Sequence, residues 1–126
     1  MQLNHELPDY QYALRSADGS VARVNERVLT HSFILTPDSL SEDWPVAALA
    51  ELTTAHLQPL LALNPELVLL GTGARQVFPP AAIMATCLTR GIGIEVMTNA
   101  SAARTFNVLA GEGRRVVAGF ILEPQA

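Results

Sequence analysis

The sequence predicts an α/β domain built on an open sheet. From Leu67 to Leu109 the chain reads strand, glycine turn, helix, strand, turn, helix, the alternation that builds parallel strands. Both turns, Gly71-Thr72-Gly73 and Thr98-Asn99, open onto a helix N-terminus, where sheets of this kind place ligands. Leu67 to Leu70 and Arg115 to Leu122 are largely apolar runs, as strands covered on both faces are. At 126 residues the chain holds one domain with one core.

Taken in order, residues 1–9 are polar, contain Pro8, and read as a loose arm. Tyr10 to Leu14 leads into Ala17-Asp18-Gly19-Ser20, a hairpin signal, because glycine accepts the positive φ of a tight turn. Ser20 to Val24 is the return strand, Asn25-Glu26 the next turn, and Arg27 to Leu35 a third strand. That third strand has two largely apolar faces, which predicts cover on both sides and a hydrogen-bonded core position for His31. Thr36-Pro37-Asp38-Ser39 ends it, an acidic loop follows, and Trp44 reads as a core plug near a sheet edge. Ala47 to Leu52 is ambiguous between a short helix and a strand, with the balance toward extended or irregular. Thr53 or Thr54 caps a helix reaching Leu63, with Leu57, Leu60 and Leu61 as its apolar stripe. Pro59 lies past the first turn and removes a backbone bond, so that helix is bent or short.

Pro79-Pro80 suits the start of a helix over Ala81 to Thr89, which Arg90-Gly91 ends. The link Ala74 to Phe78 carries no assignable conformation. Ile92 to Met97 is the second buried strand, and Asn99 or Ser101 caps a helix over Ala102 to Ala110. Gly111-Glu112-Gly113 stops it.

Composition narrows the function. The formal net charge of −4 argues against nucleic acid as the main partner. Residues 1–66 hold nine acids and three arginines, whereas residues 67–126 hold five arginines and three acids. All eight basic residues are Arg, whose planar fork binds carboxylate or phosphate through two bonds. No apolar run approaches the ~18 residues of a membrane span, and the N-terminus lacks the pattern of a secretory signal, so a cytoplasmic location is expected. The single cysteine, Cys87, reads as a small buried apolar group. His5, His31 and His56 lie far apart, without metal-ligand spacing, so no metal site is expected.

Gly71-Thr72-Gly73 is not a phosphate fingerprint. A Walker loop needs lysine, which the chain lacks, and a dinucleotide loop needs glycine where Gln76 stands. The two glycines serve either a tight turn with close backbone approach or a small pocket lined by backbone amides that admits an anion. Glu95 stands inside a predicted buried strand. A buried carboxylate is paired or protonated, so Glu95 is either ion-paired to Arg75, Arg90 or Arg104, or a general acid or base with a raised pKa. Asn99, Arg104, Thr105 and Asn107 crowd the second turn and its helix, and the spacing permits an Arg104–Asn107 pair. No nucleophile-elbow spacing surrounds Ser101. The ligand-binding candidates are therefore Gly71, Thr72, Gly73, Glu95, Asn99, Arg104, Thr105 and Asn107, with no catalytic set.

Gly71-Thr72-Gly73 and the run from Gly91 to Leu109 resemble the family of respiratory complex I assembly factor 3 and its small bacterial and archaeal relatives. The family pairs a strand ending in Gly-Thr-Gly with a Gly-Ile…Glu…Met strand and an Ala…Arg-Thr-Tyr-Asn helix. The likeness extends over nearly the whole chain. Asn99 stands where the family commonly has threonine, and Phe106, lacking a hydroxyl, where it has tyrosine. The resemblance implies a compact three-layer α/β domain with a central mixed sheet, helices on its faces and an additional N-terminal antiparallel β layer. It also implies that the family's bacterial members have no established activity, while the mitochondrial relative acts as an assembly factor through protein contacts and without a known cofactor. The expected role is accordingly a non-enzymatic interaction or assembly module with a protein partner and no cofactor. The alternative is a protein, possible enzymes included, that binds a small polar or anionic ligand at the rim formed by the 71–73 and 98–104 turns.

Overall fold

The computed structural model describes residues 10–124; the expected arm at residues 1–9 lies outside them. Eight strands and three α-helices follow in order: β1 (Leu14–Ala17), β2 (Ala22–Val24), β3 (Arg27–Leu29), β4 (Phe33–Leu35), β5 (Leu40–Ser41), α1 (Thr54–Leu61), β6 (Leu67–Gly71), α2 (Ala81–Leu88), β7 (Gly93–Met97), α3 (Asn99–Gly111) and β8 (Val116–Phe120). β1, β2 and β3 form a small antiparallel sheet. The other five form a mixed sheet in the order β5-β4-β8-β6-β7, with β6 parallel to both β7 and β8 and β4 antiparallel to β8.

The mixed sheet divides the core in two. One face carries Leu69, Ala118 and Phe120 against Ala102, Phe106 and Leu109 of α3 and Leu14, Val24 and Leu29 of the small sheet. The other carries Val68, Leu70 and Val117 against Leu57 and Leu60 of α1, Ile83 and Cys87 of α2, and Trp44. The predicted α/β class and the layering implied by the resemblance describe this arrangement. β8 is buried along its whole length because it lies between β4 and β6. Cys87 is buried as expected, and desolvation holds its thiol above the ordinary value.

Several local expectations are corrected. The third strand is two strands in two sheets. Between them the Ser32 hydroxyl accepts a bond from the Leu122 N–H at 2.9 Å and donates to the Val46 carbonyl, which fixes a bend where the chain changes sheet. Cover on both sides therefore holds for β4, whose Phe33 and Leu35 face one core and Ile34 the other, and fails for β3: Val28 is 53% exposed, and His31 faces solvent rather than the core. Leu40–Ser41 forms a short edge strand inside the acidic loop, and a 3₁₀ turn at Leu49–Glu51 interrupts the segment read as extended. Helix α1 stops at Leu61, short of Leu63, with Pro59 inside it. Helix α3 starts three residues early, because Thr98 is its cap and accepts a bond from the Ser101 N–H at 3.2 Å.

Trp44 does plug the core, but over the central strand. Its ring lies against Gly119 of β8, and its indole N–H donates to the His56 carbonyl at 2.9 Å.

Candidate functional site

The two βα tips do stand side by side. The Asn99 N–H donates to the Gly73 carbonyl at 2.9 Å, and the Thr72 N–H to the Met97 carbonyl at 3.0 Å. The helices that follow diverge: α2 packs on one face of the sheet and α3 on the other. Such divergence opens a crevice at the carboxyl ends of the strands.

Asn99 fills this crevice. Its side chain is fully buried, and its carbonyl oxygen accepts from the Gly73 N–H at 3.1 Å. Its amide nitrogen donates to the Ile121 carbonyl at 3.0 Å and to the Asp18 carbonyl at 2.9 Å. Gly71 is required by this approach, since a Cβ there would stand 2.3 Å from Asn99 Oδ1. Gly73, at φ +104°, makes the turn that brings its N–H to the amide.

Thr72 is buried beside it. Its hydroxyl donates to the Arg75 carbonyl at 2.6 Å and accepts from the Val77 N–H at 3.2 Å, so it shapes the loop that follows. The N-terminal hairpin closes the rim from above. The Glu123 N–H donates to the Gly19 carbonyl at 2.8 Å. A cleft of about 220 Å³ remains, lined by Gly19, Thr72, Gly73, Ala74, Arg75, Val77 and Glu123.

The remaining sequence candidates stand elsewhere. Glu95 is exposed: it points to the opposite face of edge strand β7 from Val96, which is buried in the cluster with α1 and α2. The expected burial is thus corrected, and Glu95 makes no ion pair among the described residues. Arg104 is also exposed and donates to the Ser101 hydroxyl at 3.3 Å; no Arg104–Asn107 bond forms among the described residues. Asn107 instead reaches the small sheet, accepting from the Leu14 N–H at 2.9 Å and donating to the Leu14 carbonyl at 2.7 Å. Thr105 is half-buried on α3. Sequence reasoning missed Asp18, Gly19, Ile121 and Glu123 as parts of this rim. No local pattern marks them, since all four arrive from the two ends of the chain.

The Asp18 carboxylate holds the hairpin tip, accepting from the Ser20 N–H at 2.9 Å and the Val21 N–H at 2.8 Å. The bond from Ser20, then that from Val21, keeps its pKa below the ordinary carboxylate value. A depressed folded pKa adds stability that is present above the unfolded pKa and is lost as pH falls through the folded one. In an NMR titration from about pH 5 to pH 2, the Ser20 and Val21 amides should shift together, with an inflection below the ordinary aspartate range. Asp18→Asn should remove that inflection. Flat amide shifts over the whole range would contradict the assignment.

Among the described residues no helix is long and apolar enough to cross a membrane. A family model described as a protein of unknown function (DUF498/DUF598) matches residues 15–121. A Xanthomonas campestris protein solved by NMR is 61% identical, with 97% of this chain and 92% of that chain covered and a TM-score of 0.83. The NADH dehydrogenase [ubiquinone] 1 alpha subcomplex assembly factor 3 of Danio rerio is 34% identical over 64% of this chain and 48% of its own length. A 13 kDa major membrane protein of Francisella tularensis is 39% identical over 49% of this chain and 50% of its own length. The chain spans about half the length of the curated relatives it matches.

Proposed function

This chain belongs to the family of proteins of unknown function DUF498/DUF598 and is related to a complex I assembly factor, and on that premise we propose that it is a protein-interaction module of the assembly-factor kind, acting in the cytoplasm without chemistry of its own. One observation carries the reading. The Asn99 amide, which stands where an open α/β sheet offers polar groups to a ligand, directs its bonds to Gly73, Ile121 and Asp18 of the same chain. Such a rim serves as a rigid scaffold and displays its surface to other proteins. The printed name of the Danio rerio relative supports the assembly role as an analogy, since fold does not fix function.

The second reading is the small-ligand one, favoured by the cleft beside Gly73, with Arg75 in its wall. One experiment weighs both. Tagged chain purified from its native cells should enrich a discrete protein partner over a tag-only control in quantitative mass spectrometry. A screen of phosphorylated and carboxylated metabolites should leave its melting temperature unchanged. No enriched partner, together with a metabolite shift that Arg75→Ala removes, would replace the interaction reading with the ligand one.

A further inference from the structure

The loop between β6 and α2 is built to project. The Thr72 hydroxyl holds it from inside, bonded to the Arg75 carbonyl and the Val77 N–H. The Gln76 side chain holds it from the side, its amide donating to the Val96 carbonyl on β7 at 2.8 Å. Pro79 is buried and Pro80 precedes α2, which stiffens the far end. On this frame Val77 is 44% and Phe78 67% exposed. Arg75 is exposed beside them and forms no ion pair among the described residues.

Single exposed apolar groups are ordinary on a protein surface. What sets this loop apart is adjacency and rigidity: two apolar side chains and an unmatched cation within four residues, on backbone already fixed. A pre-ordered aromatic anchor costs little entropy to dock, and aromatic and arginine side chains dominate binding energy at interfaces.

We propose that Arg75–Phe78 is the docking loop of this protein, and that its partner is a protein with an apolar pocket for Phe78 and a carboxylate at the lip of that pocket for Arg75. The proposal rests on the interaction reading above and gives it a surface. A pocket suits the loop better than a bilayer does. The apolar area is one projecting anchor with a neighbour rather than a long amphipathic face, and the chain's net charge of −4 opposes an anionic lipid surface.

The test uses the full chain in its native cells with the photo-crosslinker benzoylphenylalanine at position 78 and, separately, in place of the exposed Leu88 and Val108. Position 78 should give a discrete adduct with another protein that the other two positions do not give. With that protein purified, Phe78→Ser should weaken binding by about 30-fold or more. Arg75→Glu should weaken it about 10-fold, with recovery when the crosslinked partner's lip carboxylate is changed to arginine. Phe78→Ser should melt within about 2 °C of the parent, as an exposed site does.

Adducts from Leu88 or Val108 positions but not from 78 would overturn the docking loop and leave the interaction reading standing. No adduct from any of the three, with no enriched partner in the purification, would overturn both. An adduct between two copies of this chain, or binding to phosphatidylglycerol vesicles that Phe78→Ser abolishes, would equally overturn the proposed partner.

Discussion

Asn99→Ala should destabilise the protein by about 3–5 kcal/mol, because each buried polar group left without a partner costs ~1–3 kcal/mol. The substitution strands the Gly73 N–H and the Ile121 carbonyl at a fully buried position and takes the amide donor from the part-buried Asp18 carbonyl. Against the ~5–15 kcal/mol that holds a typical domain together, that loss leaves little folded protein in mild denaturant. Asn99→Asp should be no better, since it removes the donor of two bonds and introduces a charge without solvent. Asn99→Thr keeps one hydroxyl and should fall between alanine and the parent. Urea unfolding of the three variants checks the order. A loss below about 1 kcal/mol for alanine would mean that water replaces the amide without penalty, and the central role given to Asn99 would fail.

Gly119→Ala should cost about 3 kcal/mol, at the upper end of what overpacking a core does. A Cβ there would stand 2.7 Å from Cη2 and 2.8 Å from Cζ3 of Trp44, and 3.2 Å from Cδ2 of Leu60. The indole cannot simply retreat, because its N–H is bonded to the His56 carbonyl at 2.9 Å. Nor can the strand move aside, since β8 is hydrogen-bonded on both edges, to β4 and β6. Trp44→Leu is itself destabilising, as it opens a cavity. In combination with Gly119→Ala, however, the two losses should be less than additive by about 1–2 kcal/mol, because the smaller side chain vacates the space the methyl needs. Strict additivity in thermal or urea unfolding would show that the close contact does not control the site.

The βα half of the molecule is legible in the sequence because its signals are local. Apolar runs, prolines at a helix start and glycines at strand ends each act within a few residues, and β6, α2, β7 and α3 fall where those signals lie. The convergence of Gly73 and Asn99 follows from the same pattern, since consecutive βα tips share a rim. What failed depends on distant partners. Glu95 reads as buried because Ile94 and Val96 flank it, yet Val96 is buried against the α1 and α2 face while Glu95, on the opposite face of the same edge strand, is exposed, and which face is covered is not encoded in β7 itself. The split between β3 and β4 is set by Ser32 bonding to Val46 and Leu122, residues 14 and 90 positions away. At the rim, the contributions of Asp18, Gly19 and Glu123 stayed hidden for the same reason.

The bonds of the Asn99 side chain reach 26, 22 and 81 positions along the chain. During synthesis, therefore, the amide has no carbonyl of β8's end to meet until Ile121 has left the ribosome, although the N-terminal hairpin and β6 are long since made. Helices can form early and locally, whereas this junction closes only after both ends of the described chain have been recruited, a non-local step that slows folding. The rim and the central strand β8, which joins β4 to β6, thus wait on the same late segment, so the sheet and its polar junction are completed together.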